Sequence, residues 1–292
     1  MTDKNNGEKN RTIKGALYLV GTPIGNLTDI SERAVKVLSE ADFIAAEDTR
    51  NSLRLLTHFG IQKPMISYFE HNKQERGKEI IARLKSGETC ALVTDAGMPA
   101  ISDPGEDLVK LCIENDVPVT TVPGPCAAIT ALTLSGLSTA RFSFEGFLSA
   151  SKSERRQALA ELSDERRTMI FHEAPHKLKA TLSDMAFAFG EDRQIALCRE
   201  LTKLNEEILR MTLAEAIAYY SENDPRGEFV LVVEGAKATK NTACFWENMS
   251  IRDHVLHYVS GGMSKNDAIK AAAKDRKLPK NDVYQEVLDL KI

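Results

Sequence analysis

The residue types able to do chemistry gather in a few short runs of this 292-residue chain, each directly after an apolar stretch. Glu47-Asp48-Thr49-Arg50 sets two acids beside a guanidinium, and Glu70-His71-Asn72 holds the same relative place after the next apolar stretch. In the run from Thr94 to Gly105, rich in Gly, Pro and Asp, Asp95 is placed to accept a hydrogen bond from a ligand hydroxyl or to face a sulfonium cation. Asp103, just before Pro104, reads better as a helix cap. Further on come Phe171-His172-Glu173-Ala174-Pro175-His176-Lys177 and then Arg199-Glu200-Leu201-Thr202-Lys203 with Glu206 and Glu207. Proton transfer from a hydroxyl needs a base within hydrogen-bond reach, and Glu47, Asp48, Glu173, His176 and Glu200 are the candidates, unranked. Taken alone, Asp48 also fits a helix N-cap, and His172 or His176 a hydrogen-bonded surface histidine.

Two further runs carry small residues instead of charge. Val20-Gly21-Thr22-Pro23-Ile24-Gly25-Asn26 follows the first apolar stretch, but it is not GxGxxG, and Pro23 removes an amide donor. A pyrophosphate site needs such donors at a helix start. S-adenosylmethionine carries no phosphate and suits this loop better, although a plain tight turn explains it equally. Val122-Pro123-Gly124-Pro125-Cys126-Ala127-Ala128 would let backbone lie close to an adenine or methionine group, or serve as an interdomain hinge.

Position decides what these runs mean, so the elements around them matter. Residues 16–20, 43–46, 65–68, 90–94 and 117–122 read as strands, each followed by a helical pattern such as Ile80, Ile81 and Leu84. That alternation predicts a parallel α/β sheet, with ligands beyond the carboxyl ends of its strands. A second set of strands, 142–145, 168–172, 194–198 and 229–233, is less evenly spaced and predicts a mixed sheet. The rest reads as helical, with Ser264 capping a helix through Arg276 and Leu278-Pro279 breaking it. The organisation expected is a disordered leader (1–14), an N-terminal parallel α/β domain (15–123), a mixed α/β domain (124–240) and a helical extension (241–292). The fold class expected is therefore two α/β domains with a ligand cleft between them and a small helical C-terminal region.

Composition narrows the classes. A formal net charge of -4 excludes a wholly basic nucleic-acid binder, so any RNA face is local. Lys265, Lys270, Lys274, Arg276, Lys277 and Lys280 form one such basic run, and Arg50 and Lys203 lie near the acidic loops. Arg50, Lys203, Lys270 and Lys274 are the candidate phosphate contacts, against the plainer reading of a solvated helix face for the run. Five cysteines, Cys90, Cys112, Cys126, Cys198 and Cys244, form no CxxC pair, so neither a disulfide framework nor a metal site is expected. The polar start, with Asp3 and Glu8, is no signal peptide, and no apolar run approaches a membrane span. A cytoplasmic protein follows.

In this order the motifs resemble the tetrapyrrole methylase family of S-adenosylmethionine enzymes, from about Gly15 to Gly235. The family likeness rests on 20–26, the run from Asp95 to Pro104 and 123–128. The motifs at 46–50, 67–72, 95–105, 171–177, 199–207 and 227–235 are similar to a branch that methylates the 2′-hydroxyl of a cytidine in 16S rRNA of the small ribosomal subunit. The resemblance implies a cofactor folded into the cleft between two α/β domains, and a homodimer. Ile24, Asp95, Met98, Cys126 and Ala127 would line the cofactor, with Gly21 shaping the first loop. Asn205 departs from the branch, where a histidine is expected before the Glu pair. Two rivals stand beside this reading. One is a methylase of a small tetrapyrrole, against which the Glu47 to Arg50 loop and the basic run argue, and the other is a non-catalytic ligand-binding protein.

Overall fold

The computed structural model describes residues 12–237, 245–246 and 248–290. Residues 1–11 of the expected leader, Cys244 and the start of the helical extension at Asn241 lie outside the described residues. The chain divides into two compact units, Met1–Ala236 and Lys237–Ile292.

The first unit holds both sheets. β1 (Leu17–Val20), β2 (Phe43–Ala46), β3 (Met65–Ser67), β4 (Cys90–Val93) and β5 (Val119–Val122) form a parallel sheet in the order β3-β2-β4-β1-β5. Strand alternation sends side chains to both faces, and each face is covered by helices. Tyr18, Val20, Ile44 and Val93 pack under α1 (Glu32–Glu40) and α2 (Thr49–His58). Leu17, Phe43, Ala45 and Leu92 pack under α3 (Lys73–Lys85) and α4 (Gly105–Glu114). Asp48 does cap α2, its carboxylate accepting from the Arg50 amide at 2.8 Å. Asp103 caps the turn into α4 by accepting from the amides of Ala100 and Gly105, with Pro104 at the cap position and not inside the helix.

β1 and β4 are neighbours whose outgoing chains run to opposite sides of the sheet, toward β2 and toward β5. This is the switch point at which open α/β sheets leave a crevice. The loops after the two strands meet there, with the Thr22 amide donating to the Gly97 carbonyl at 2.9 Å and the Gly97 amide to the Thr22 carbonyl at 3.1 Å.

The second sheet is mixed, as its uneven spacing predicts. β6 (Phe142–Phe147) pairs parallel with β7 (Thr168–Glu173), and β10 (Phe229–Val233), β8 (Gln194–Arg199) and β9 (Glu207–Thr212) continue antiparallel in the order β6-β7-β10-β8-β9. Strand β9 is a correction to the sequence reading, whose four strands in this half do not include it. α6 (Lys152–Glu161), α7 (Pro175–Phe189) and α8 (Leu213–Glu222) cover one face, packed on Met169, Phe171, Leu197 and Leu231. α5 (Ala127–Ser135) covers the other through Ala128, Ala131 and Leu132 on Ile170, Cys198 and Val232.

The second unit contains α9 (Ile251–Ser260), α10 (Lys265–Arg276) and α11 (Lys280–Glu286), closed around Val255, Ile269, Ala272 and Val283. Ser264 caps α10 by accepting from the Asp267 amide. Among the described residues no helix is long and apolar enough to cross a membrane.

Asp184 of α7 is 3% exposed and ties α6 to α7, taking Arg155 Nε at 2.9 Å and Arg156 Nε at 2.6 Å. Burial pushes its carboxyl up, but the two guanidiniums outweigh burial and hold it below its ordinary 3.8. Removing one partner of a buried pair costs about 3–5 kcal/mol, so Asp184→Asn should lower unfolding stability by that order in urea titration at neutral pH. Because the folded value lies below the unfolded one, the wild-type advantage is complete above the ordinary aspartate range. It should shrink as pH falls through the lowered value.

Candidate active site

A cavity of about 550 Å³ opens beyond the carboxyl ends of the first sheet, within the first unit. Ile24, Thr94, Asp95, Gly97 and Met98 come to it from the loops after β1 and β4, and Cys126, Ala127 and Ala128 from the start of α5. Phe147, His172, Glu173, Glu200, Lys203 and Glu228 come from the second sheet.

Backbone contact sets the shape of its first wall. A Cβ on Gly21 would lie 2.7 Å from Gly124 Cα and 2.7 Å from Met98 Sδ. The Gly124 amide points at that sulfur at 3.2 Å. Three loops thus meet at van der Waals distance, which only glycine permits at two of the positions. The Asp95 carboxylate takes Asn51 Nδ2 at 3.1 Å and the Asp48 amide at 3.3 Å, yet the residue stays exposed toward the cavity. At α5 the N-cap Cys126 makes no side-chain capping bond, so the first amides of this helix are left for another acceptor.

The second wall is charged. Glu200 and Thr202 adopt left-handed backbone, at φ +50 and +65, unusual for side chains of their kind. Glu200 is fixed by Lys203 Nζ at 2.9 Å and the Glu228 amide at 2.9 Å, and Lys203 also reaches Glu228 at 2.8 Å. The Lys203 ammonium holds the Glu200 carboxyl below the usual glutamate range. Burial opposes charge on Lys203, but Glu200 and Glu228 outweigh it and raise the ammonium above the usual lysine range. The wall also closes on the first, for a Cβ on Gly25 would lie 2.4 Å from Lys203 Cγ.

Of the expected site residues, Ile24, Asp95, Met98, Cys126, Ala127, Glu173, Glu200 and Lys203 border the cavity. Gly21 stands behind Met98 and Gly124. Glu47 is one layer back, accepting from Thr94 Oγ1 at 2.9 Å; burial pushes its carboxyl up against that bond, with Asp95 and Asp103 adding to the rise. Asp48 is spent on Arg50, whose side chain and amide bring its carboxyl down to about 2. Neither Asp48, Arg50 nor His176 borders the cavity. Glu173 is 2% exposed and turned to α7, where Thr181 Oγ1 donates to it at 2.5 Å and its neighbour Ala174 donates an amide at 2.8 Å. Lys270 and Lys274 are exposed on α10 of the second unit. Sequence reasoning passed over Phe147, reached Glu228 only as part of the 227–235 run, and weighed His172 only to set it aside. The signal for His172 was strand alternation: it shares a face with Ile170, which packs on α5, whereas Glu173 points the other way.

The tetrapyrrole (corrin/porphyrin) methylase family matches residues 16–217. A ribosomal RNA small subunit methyltransferase I of Halalkalibacterium halodurans is 50% identical over 94% of this chain and 95% of its own length. The chain belongs to the tetrapyrrole methylase family, in the ribosomal RNA small subunit methyltransferase I group. Another member of this group, from Bacillus subtilis, is 48% identical over 92% of the chain and 93% of its own length. Among solved structures, a uroporphyrin-III C-methyltransferase of Thermus thermophilus aligns at TM-score 0.54 and 20% identity, covering 75% of this chain and 94% of that one. A cobalt precorrin-4 methyltransferase aligns at TM-score 0.55 and 16% identity, over 75% of this chain and 95% of that one. At such identities these two share the tetrapyrrole methylase fold with this chain.

An added methyl at Gly124 would press on Gly21 backbone at 2.9 to 3.0 Å, where nothing flexible can yield. Overpacking of this kind costs about 1–3 kcal/mol. Gly124→Ala should therefore weaken S-adenosylmethionine binding about tenfold or more by calorimetry while the protein still unfolds cooperatively.

Proposed function

We propose that this chain transfers a methyl group from S-adenosylmethionine to the ribose 2′-hydroxyl of a cytidine in 16S rRNA of the small ribosomal subunit. The observation that carries the reading is the pairing of near full-length identity to that group with a cavity whose two walls differ in chemistry. The first wall fits the cofactor. It offers small and apolar surface at Gly97, Met98, Ala127 and Ala128, an accessible carboxylate at Asp95, and open amides at the start of α5 suited to the amino-acid carboxylate. When bound there, S-adenosylmethionine supplies a methyl already activated on a sulfonium.

The protein's task is then mainly alignment, worth roughly 7–11 kcal/mol of barrier in favourable cases. Asp95 holds the cofactor's polar groups, and the Gly21, Met98 and Gly124 contact fixes the depth at which it sits. On the second wall Glu200 is the base candidate we favour, because it borders the cavity as a carboxylate held in place by Lys203 and the Glu228 amide. Lys203, with Arg50, Lys270 and Lys274 elsewhere on the surface, contacts RNA phosphates. The protein works in the cytoplasm as a homodimer on the small subunit. The basic Arg50 beside acids and the group identity favour RNA over a small tetrapyrrole as acceptor.

The direct test incubates the protein with labelled cofactor and small subunits from cells lacking it, then identifies the modified nucleoside. Label in 2′-O-methylcytidine is the expected result; cofactor binding with no label in subunits or naked RNA would sink the reading. Asp95→Ala should abolish measurable cofactor binding in calorimetry. Glu200→Gln should leave that binding intact and slow single-turnover transfer by about 10²–10⁴-fold, the usual weight of a general base.

A further inference from the structure

The cavity's β6–β7 end contains two groups that the first wall's chemistry leaves unexplained. Phe147 keeps 58% of its surface exposed at the end of β6. His172 Nε2 is sealed from solvent and has no hydrogen-bond partner. A finished core hides its phenyl rings and pairs its buried nitrogens. The pair is also built rather than accidental. β6 carries a bulge between Phe144 and Gly146, after which Phe147 lies opposite His172. In a regular strand, residues three apart point to opposite faces; here the extra residue turns Phe147 to the side of Phe144. Both rings stand edge-on to the imidazole, at 5.1 Å and 5.2 Å between centroids. Lys177 Nζ lies 5.8 Å from the Phe147 ring. Burial keeps the imidazole below its ordinary range and so neutral; the charged group facing it is Glu228, itself held by Lys203.

Sequence-specific RNA recognition mostly splays single-stranded bases out of their stack, and a splayed base finds its new stacking partner on an aromatic side chain. Aromatic residues are few in this chain, at 6%. The other phenylalanine bordering the cavity, Phe229, is 2% exposed and has no free face to give. Resting on the RNA reading above, we propose that the β6–β7 end is the subsite for the everted target nucleoside, with its base stacked on Phe147 and a donor of the same nucleoside bound by His172 Nε2. Turning the Phe147 ring from the imidazole onto the base opens that nitrogen to its partner. Phe147 is thus a positioning residue for the acceptor, and the bulge in β6 is the device that aims it.

The test uses the full chain with unmodified small subunits, following KM and kcat, cofactor affinity by calorimetry and particle mass by light scattering. A short target RNA with 2-aminopurine beside the target cytidine reports eversion by its rise in fluorescence. Phe147→Leu should raise KM about 5- to 150-fold, the span seen when a stacking aromatic is lost. It should also abolish the fluorescence rise while cofactor affinity and particle mass stay at wild-type values; Phe147→Trp should restore both. His172→Phe keeps the packing and should weaken RNA binding without touching cofactor affinity. Wild-type KM and fluorescence in Phe147→Leu would overturn the subsite. So would a loss that follows dissociation of the particle, which would assign Phe147 to a contact between copies. A wild-type protein that binds cofactor but modifies no subunit would remove the RNA reading itself.

Discussion

Gly21 and Gly124 meet with no room for a single carbon between their backbones, and the Met98 sulfur fills the corner they leave. Their contact joins the end of β1, the loop after β4 and the chain entering α5, which are 103 residues apart at the extremes and adjacent in space. The parallel sheet makes this possible by setting β1 beside β4 at the point where the crossovers diverge. Burial on both faces then holds the strand ends still, through Tyr18 and Val20 on one side and Leu17 and Leu92 on the other. A looser sheet would let the loops part and would strain the Thr22–Gly97 bridge between them.

The second wall is governed by charge instead of close packing. Lys203 divides its ammonium between Glu200 and Glu228, and two side chains hold left-handed backbone to keep it there. Gly227, also left-handed, lets Glu200 lie across it, since a Cβ there would come within 2.5 Å of Glu200 Cγ. Lys203 also holds the Glu200 carboxyl below the usual glutamate range. Behind it Glu173 serves as a structural pin on Thr181 of α7.

Much of this was legible in the residues. Apolar stretches at 43–46 and 229–233 coincide with strands β2 and β10, and Ser264 and Asp48 cap the helices that their types suggested. Strand β9 escaped because Glu207 and Arg210 interrupt its apolar positions and none of its residues is fully buried. The sixth strand was ended too early, at Glu145, because Gly146 reads as a stop whereas it is the left-handed residue of a bulge. The bond from Thr181 to Glu173 was not legible, because Thr181 sits on the next helix and no local spacing announces that contact. His172 needed only the alternation along β7 to be placed on the cleft side.

The two walls come from separate stretches of chain, 24–128 and 147–230, and they meet where Ala128 of α5 packs on Ile170 and Val230 of the second sheet. Substitutions in the later stretch can therefore reshape the charged wall while the contact of Gly21, Met98 and Gly124 keeps its form.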